Sequence, residues 1–156
     1  MNYSYLLKYA VNYLSKFSSS KKNLERVLKL KIQRLTTDKR LRFELYSEVH
    51  KILKKLEDQK LINDTDYIEN KINLFVSQKK SKKFIENYLI KKGVEQIDIH
   101  KKLEEFENNN YDWEKKSAFA FAKKKKLLES SDSFEKKLGK MARAGFPYEI
   151  CKEILK

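Results

Sequence analysis

An all-α fold is predicted by three features of this 156-residue sequence. Its apolar residues recur at helical spacing along almost the whole chain. Only three glycines and one proline are present to build tight turns, and short polar runs rich in N-capping residues separate the apolar stripes. With 40% apolar and 12% aromatic residues, the chain can build a core and is too hydrophobic to stay disordered.

Tyr3, Leu6, Leu7, Ala10, Leu14 and Phe17 share one helical face, which predicts a helix from Tyr3 to about Lys16. Ser18 to Ser20 end it, and their hydroxyls can cap the next helix, whose stripe is Leu24, Val27, Leu28, Ile32 and Leu35. After "TTDK" comes a third stripe of Leu45, Val49, Ile52, Leu53 and Leu56. A second group opens at "LINDTDY", where Asn63 or Asp64 can accept from free helix-start amides ahead of Tyr67, Ile68, Ile72, Phe75 and Val76. Ser81 caps a helix carrying Phe84, Ile85, Tyr88 and Leu89. Gly93 closes it in the left-handed conformation, and Ile99, Leu103 and Phe106 follow. The third group runs from Trp113 through Phe121 and Leu128, then Phe134, Leu138, Met141 and Ala142, then Ile150, Cys151, Ile154 and Leu155.

The expected architecture is therefore three tandem three-helix, helix-turn-helix-like repeats, residues 1–63, 64–112 and 113–156. Units this small share apolar surface with their neighbours, as in a short, elongated and curved solenoid. Ser133 precedes Gly145 by the same separation as Ser81 precedes Gly93, which points to two copies of one helix with its cap and its stop. In "ARAGFPYEI" (Ala142 to Ile150), Gly145 ends one helix, Pro147 fits the first turn of the next and Phe146 turns inward to staple the corner. Gly139, inside a helix, marks either a close helix crossing or simple tolerance.

Thirty-six lysines and arginines against 22 acids give a net charge of +14, which favours polyanionic partners: nucleic acid or an acidic protein surface. The excess is uneven, with 15 basic and 6 acidic residues in 1–63, 9 and 10 in 64–112, and 12 and 6 in 113–156. Lys79, Lys80, Lys82 and Lys83 cluster beside one helix, while Lys123 to Lys126 cover a full turn and cannot all point one way. By clustering, Lys79, Lys80, Lys82, Lys83, Lys123, Lys124, Lys125 and Arg143 are the candidate contacts for partner or DNA. Leu61, Ile62, Asp64, Tyr67, Gly93, Gly145 and Phe146 are expected to be architectural.

No phosphate loop, nucleophile elbow or paired His–carboxylate motif is present, so neither catalytic nor cofactor-binding residues are assigned. One cysteine and two histidines leave no zinc set and no internal disulfide. The N-terminus lacks signal-peptide features, and no window reaches the roughly 18 apolar residues of a membrane span. A soluble, cytoplasmic monomer is expected.

Three stretches carry a resemblance to a known family. "YAVNYLSKFSSSKKNLERVL" (Tyr9 to Leu28), "LEDQKLINDTDYIEN" (Leu56 to Asn70) and the glycine-bearing "LIKKGVEQIDI" and "MARAGFPYEI" follow, in order and over nearly the whole chain, the pattern of the RecX family, bacterial regulators of the recombinase RecA. Departures are Lys60 where a glycine is usual, Asn63 for the first aspartate, and Ile68 for an alanine. The resemblance implies three tandem three-helix repeats. It also implies a cofactor-free protein that lies along a RecA filament on single-stranded DNA, limiting filament growth and altering ATPase and strand exchange. Contact with single- or double-stranded DNA is left open. Two alternatives remain: a direct DNA-binding helix-turn-helix protein, and a basic helical scaffold for another acidic partner. The last helix offers Tyr148, Glu149, Lys152 and Glu153, a poor set for reading base edges.

Overall fold

The structure is a computed structural model that describes residues 2–156. Among the described residues there are nine α-helices and no strand. They form two compact units: one runs up to Tyr67 and includes Lys92–Val94, the other holds Ile68–Lys91 and Glu95–Lys156. Three helices fall within each of the spans 1–63, 64–112 and 113–156.

The first unit is built on α1 (Tyr3–Lys16), α2 (Lys21–Leu35) and α3 (Lys39–Asp58). Each has a side-chain cap that satisfies otherwise free first-turn amides: Asn2 accepts from Tyr5, Ser20 from Asn23, and Asp38 from Arg40 and Leu41. The buried face matches the apolar spacing, with Leu6 and Ala10 meeting Leu24, Leu28 and Ile32 and all five α3 residues from Leu45 to Leu56. At the other end of α2, the Arg42 guanidinium donates to the carbonyls of Thr36 (2.7 Å) and Gln33 (2.9 Å), filling acceptors the helix cannot use itself. Phe17, expected on the α1 stripe, is 55% exposed. It sits past the last turn in an extended conformation, where its ring packs on Tyr13.

α4 (Asp64–Ser77) follows, with the Asn63 side chain accepting from the Asp66 amide. The second unit then holds α5 (Lys82–Lys91), α6 (Gln96–Asn109), α7 (Trp113–Lys124), α8 (Phe134–Arg143) and α9 (Tyr148–Leu155). Ile72, Phe75, Ile85, Leu89, Ile99 and Leu103 are buried there, and Trp113 closes edge-on over Phe106. Small buried residues on α7, Ser117, Ala118 and Ala122, let α9 approach it. Leu127, not Leu128, is the buried leucine: Lys126 is left-handed at φ 57°, which breaks the helical phase before residue 128 is reached. Gly139 is tolerance, since a methyl added there would meet only Arg143 Nη1 at 3.5 Å and no helix crosses close to it.

One hydrogen-bonded joint occurs twice. The Ser20 hydroxyl accepts from the Asn23 amide and donates to the carbonyl of Lys92, while the Lys21 amide donates to Asp64 Oδ1 (2.9 Å). In the second unit the Ser81 hydroxyl accepts from Phe84 and donates to the carbonyl of Ala144 (2.8 Å), and the Lys82 amide donates to Glu114 Oε2 (2.8 Å). The residue after each accepting carbonyl is a left-handed glycine, Gly93 (φ 79°) or Gly145 (φ 96°). Each glycine is pressed against the start of the capped helix: a methyl on Gly93 would overlap Lys22 Cβ in the first turn of α2, and one on Gly145 would overlap the cap oxygen Ser81 Oγ. Cap serine, first-turn acid and glycine thus act as one unit in which left-handed geometry and lack of a Cβ are both required. Pro147 stands one residue earlier than its expected place: it is the N-cap of α9, with extended ψ, and not part of the first turn.

Candidate functional site

Two helix ends and the second joint build the main cleft. α4 stops because Lys79 turns left-handed (φ 62°) and the Lys80 amide reaches back to the Phe75 carbonyl at 2.9 Å. α7 stops the same way, with Lys126 left-handed and Leu127 N–H on the Ala122 carbonyl at 2.9 Å. Lysines in the last turn complement the carbonyl-rich helix end, so both stops put cations at the surface side by side. The Ser81–Ala144 bond brings the α8 end, with Arg143, against the start of α5.

The result is an open cleft of about 600 Å³ whose cations are Lys79, Lys80, Lys124, Lys125 and Arg143. Its apolar walls include Phe84, Phe121 and Phe146, with Phe146 buried and its ring 5.6 Å from that of Phe121. A second cleft, of about 300 Å³, adjoins it through the shared Phe84, Arg143 and Ala144 and adds Lys83, Asn87, Tyr88 and Lys91. No carboxylate lines either one. Among the described residues, Lys79, Lys83, Lys124, Lys125 and Arg143 have no ion-pair partner, and Lys80 is held over the Phe84 ring at 4.8 Å.

Six of the eight lysines and arginines expected at a contact surface therefore lie along one continuous basic groove. Lys123 and Lys82 do not line it. Lys82 belongs to the joint: its ammonium sits 2.8 Å from Glu107, which raises its pKa, and its amide is held by Glu114. Burial pushes the Glu114 carboxyl above the usual range, against the pull of the Lys82 amide and ammonium. Reversing this charge, Lys82→Glu, would set a fourth acid among Glu86, Glu107 and Glu114, and is expected to lower stability by roughly 1 kcal/mol, read by thermal unfolding. An unchanged midpoint would make Lys82 a plain surface cation.

Ile62 and Tyr67 are buried, Asp64 holds the Lys21 amide, and Leu61 is exposed while its amide closes α3 on the Leu56 carbonyl (2.8 Å). Sequence reasoning missed Phe84 and Lys91 as groove residues. It also missed the joint, although a Ser-Lys-Lys triplet stands at 20–22 and again at 81–83. On α9 the acid Glu153 is taken by Lys115 (2.7 Å), which raises Lys115 and lowers Glu153 in pKa. Among the described residues, no helix is long and apolar enough to cross a membrane.

No family model and no curated protein sequence matches the chain. Solved structures do. The crystal structure of RecX from Lactobacillus salivarius superposes with a TM-score of 0.73 and 25% identity, over 98% of this chain and 94% of that one. The chain has the fold of RecX. The crystal structure of a second chain, described as regulatory protein RecX, gives the same TM-score over 97% of this chain and 72% of that one, at 21% identity. The RecX fold thus accounts for all nine helices of the described residues, and the basic groove is built on it by the ends of α4, α7 and α8.

Proposed function

We propose that this chain belongs to the RecX family and is a regulator of the RecA nucleoprotein filament, limiting filament growth on single-stranded DNA and lowering its ATPase and strand-exchange activities. The reading is carried by the match of the RecX fold over nearly the full length of both chains. The carboxylate-free groove supports it, because a filament on DNA is a polyanion and unpaired cations facing one side gain most from such a surface. The chain works as a cytoplasmic monomer of three three-helix repeats, 1–63, 64–112 and 113–156, and several weak contacts on one filament reinforce each other through effective concentration.

The test is RecA ATPase on single-stranded DNA with substoichiometric protein, alongside filament length by electron microscopy. A fall in rate and shorter filaments are expected; no change in either overturns the reading. A sequence-reading role is disfavoured by α9, whose polar side carries Glu149 and a Glu153 already engaged by Lys115.

A further inference from the structure

α7 carries opposite charges at its two ends. At its start, a cleft of about 410 Å³ is lined by four carboxylates, Glu107, Asp112, Glu114 and Glu153, beside the buried Trp113 and the 84% exposed Tyr111. Three of the four are engaged within the chain: Glu107 by the Lys82 ammonium, Glu114 by the Lys82 amide and Glu153 by Lys115. Asp112 is different. It stands in the N-cap place with a left-handed backbone (φ 57°), makes no capping hydrogen bond and, among the described residues, forms no ion pair. At the other end of this 12-residue helix, roughly 18 Å away, the run Lys123 to Lys126 divides. Lys124 and Lys125 line the basic groove, while Lys123 and Lys126 are exposed, line neither basic cleft and form no ion pair among the described residues. The helix dipole favours acids at a helix start and lysines at its end. It explains neither a cleft at the start nor a capping residue whose carboxylate is left unused.

We propose that this cleft receives the Lys123 and Lys126 ammoniums of a second copy of the chain, so that copies lined up on a polyanion join end to end. The occupant follows from charge. An acidic cleft fits a cationic segment, and this chain presents one at the far end of the same helix that its own groove does not use. Tyr111 adds a ring face for an ammonium beside the carboxylates. In free solution, copies that each carry +14 repel one another, and a contact confined to one cleft falls short of the roughly 1,200 Å² of a stable interface, so the chain stays a monomer there. A polyanion neutralises the repulsion and holds neighbours close, which raises their effective concentration. The two contact patches are different surfaces, so the contact repeats from copy to copy and does not close as a pair. Lys124 and Lys125 remain free for the polyanion. This inference rests on the filament reading only for which polyanion is met; the contact between copies needs no RecA.

Carbodiimide crosslinking, which joins a carboxylate to an amine only where the two touch, tests it on the purified chain with and without dextran sulfate, a polyanion that has no carboxylates of its own. With dextran sulfate, a ladder of dimers, trimers and longer species is expected, and mass spectrometry should place the new bonds between Asp112 and Lys123 or Lys126. Without it, monomer should predominate. Asp112→Asn, which keeps a residue at home in the left-handed region, should cut the ladder about five-fold. Asp112→Lys alone should lose it, on a backbone that this chain already gives to Lys60, Lys79 and Lys126. Lys123→Glu with Lys126→Glu should lose it too. A mixture of these two variant chains should restore the ladder, because every junction then again joins opposite charges; crowding on the template cannot produce that rescue. No ladder on dextran sulfate, a ladder indifferent to the substitutions, a product that stops at dimer, or variant chains that stay silent when mixed each overturns the proposal. If the ladder forms but the filament ATPase is unmoved, the filament reading falls and this one stands; a lowered ATPase with no ladder removes this one alone.

Discussion

Replacing Gly145 with alanine is expected to lower stability by roughly 2–4 kcal/mol, a drop of some 5–15 °C in the unfolding midpoint of a chain this size. Two costs combine. At φ 96° an alanine is strained by about 1–2 kcal/mol, and its methyl would overlap Ser81 Oγ. That oxygen cannot swing away freely, because it accepts from Phe84 and donates to Ala144, so relieving the overlap breaks a bond worth about 1 kcal/mol or more. Circular dichroism during thermal unfolding reads the loss. A second variant separates the costs: with Ser81→Ala already present, Gly145→Ala should cost measurably less than it does alone, since the overlapping oxygen is gone. Strict additivity of the two would show that the hydroxyl does not confine the glycine.

The second large effect concerns Lys79, whose charge and backbone pull in opposite directions. Left-handed at φ 62°, a lysine is strained by about 1 kcal/mol, and glycine relieves that strain. Lys79→Gly should therefore raise the unfolding midpoint by about 2–4 °C while weakening modulation of the RecA ATPase several-fold, because a groove cation has gone. Loss of function with a gain in stability cannot be ascribed to unfolding. Lys60→Gly is the matching control: Lys60 has the same left-handed backbone (φ 60°) but lines neither cleft, so stability should rise with regulation unchanged. Equal functional losses in the two variants would remove Lys79 from the contact surface.

Most helices were legible because their buried faces follow the 3.6-residue period; α3 buries all five residues that its spacing selects. Residues beside a helix end were not. Phe17 and Leu128 continue an apolar stripe on paper, yet a cap or a left-handed lysine breaks the phase before either is reached. The same physics limited the site. Lysine clustering found six groove cations, because helix stops that expose consecutive lysines leave a visible mark in sequence. It could not distinguish Lys82 from Lys83, adjacent residues that point to different neighbours, since Glu107 and Glu114 lie far along the chain. Nor does periodicity say that Phe84, an ordinary core candidate, stands at the wall of a groove.

The first serine–glycine joint also sets an order of events during synthesis. Ser20 and Lys21 come early in the sequence, but the groups that satisfy them belong to Asp64 and Lys92. At about 5–20 residues per second, Lys92 leaves the ribosome several seconds after α2. Until then the N-terminal three helices are an unfinished body, with the cap serine's outer bond left to water. A nascent chain stopped just after residue 67 would contain every apolar residue of that first core and still lack Lys92–Val94, the short segment that completes it.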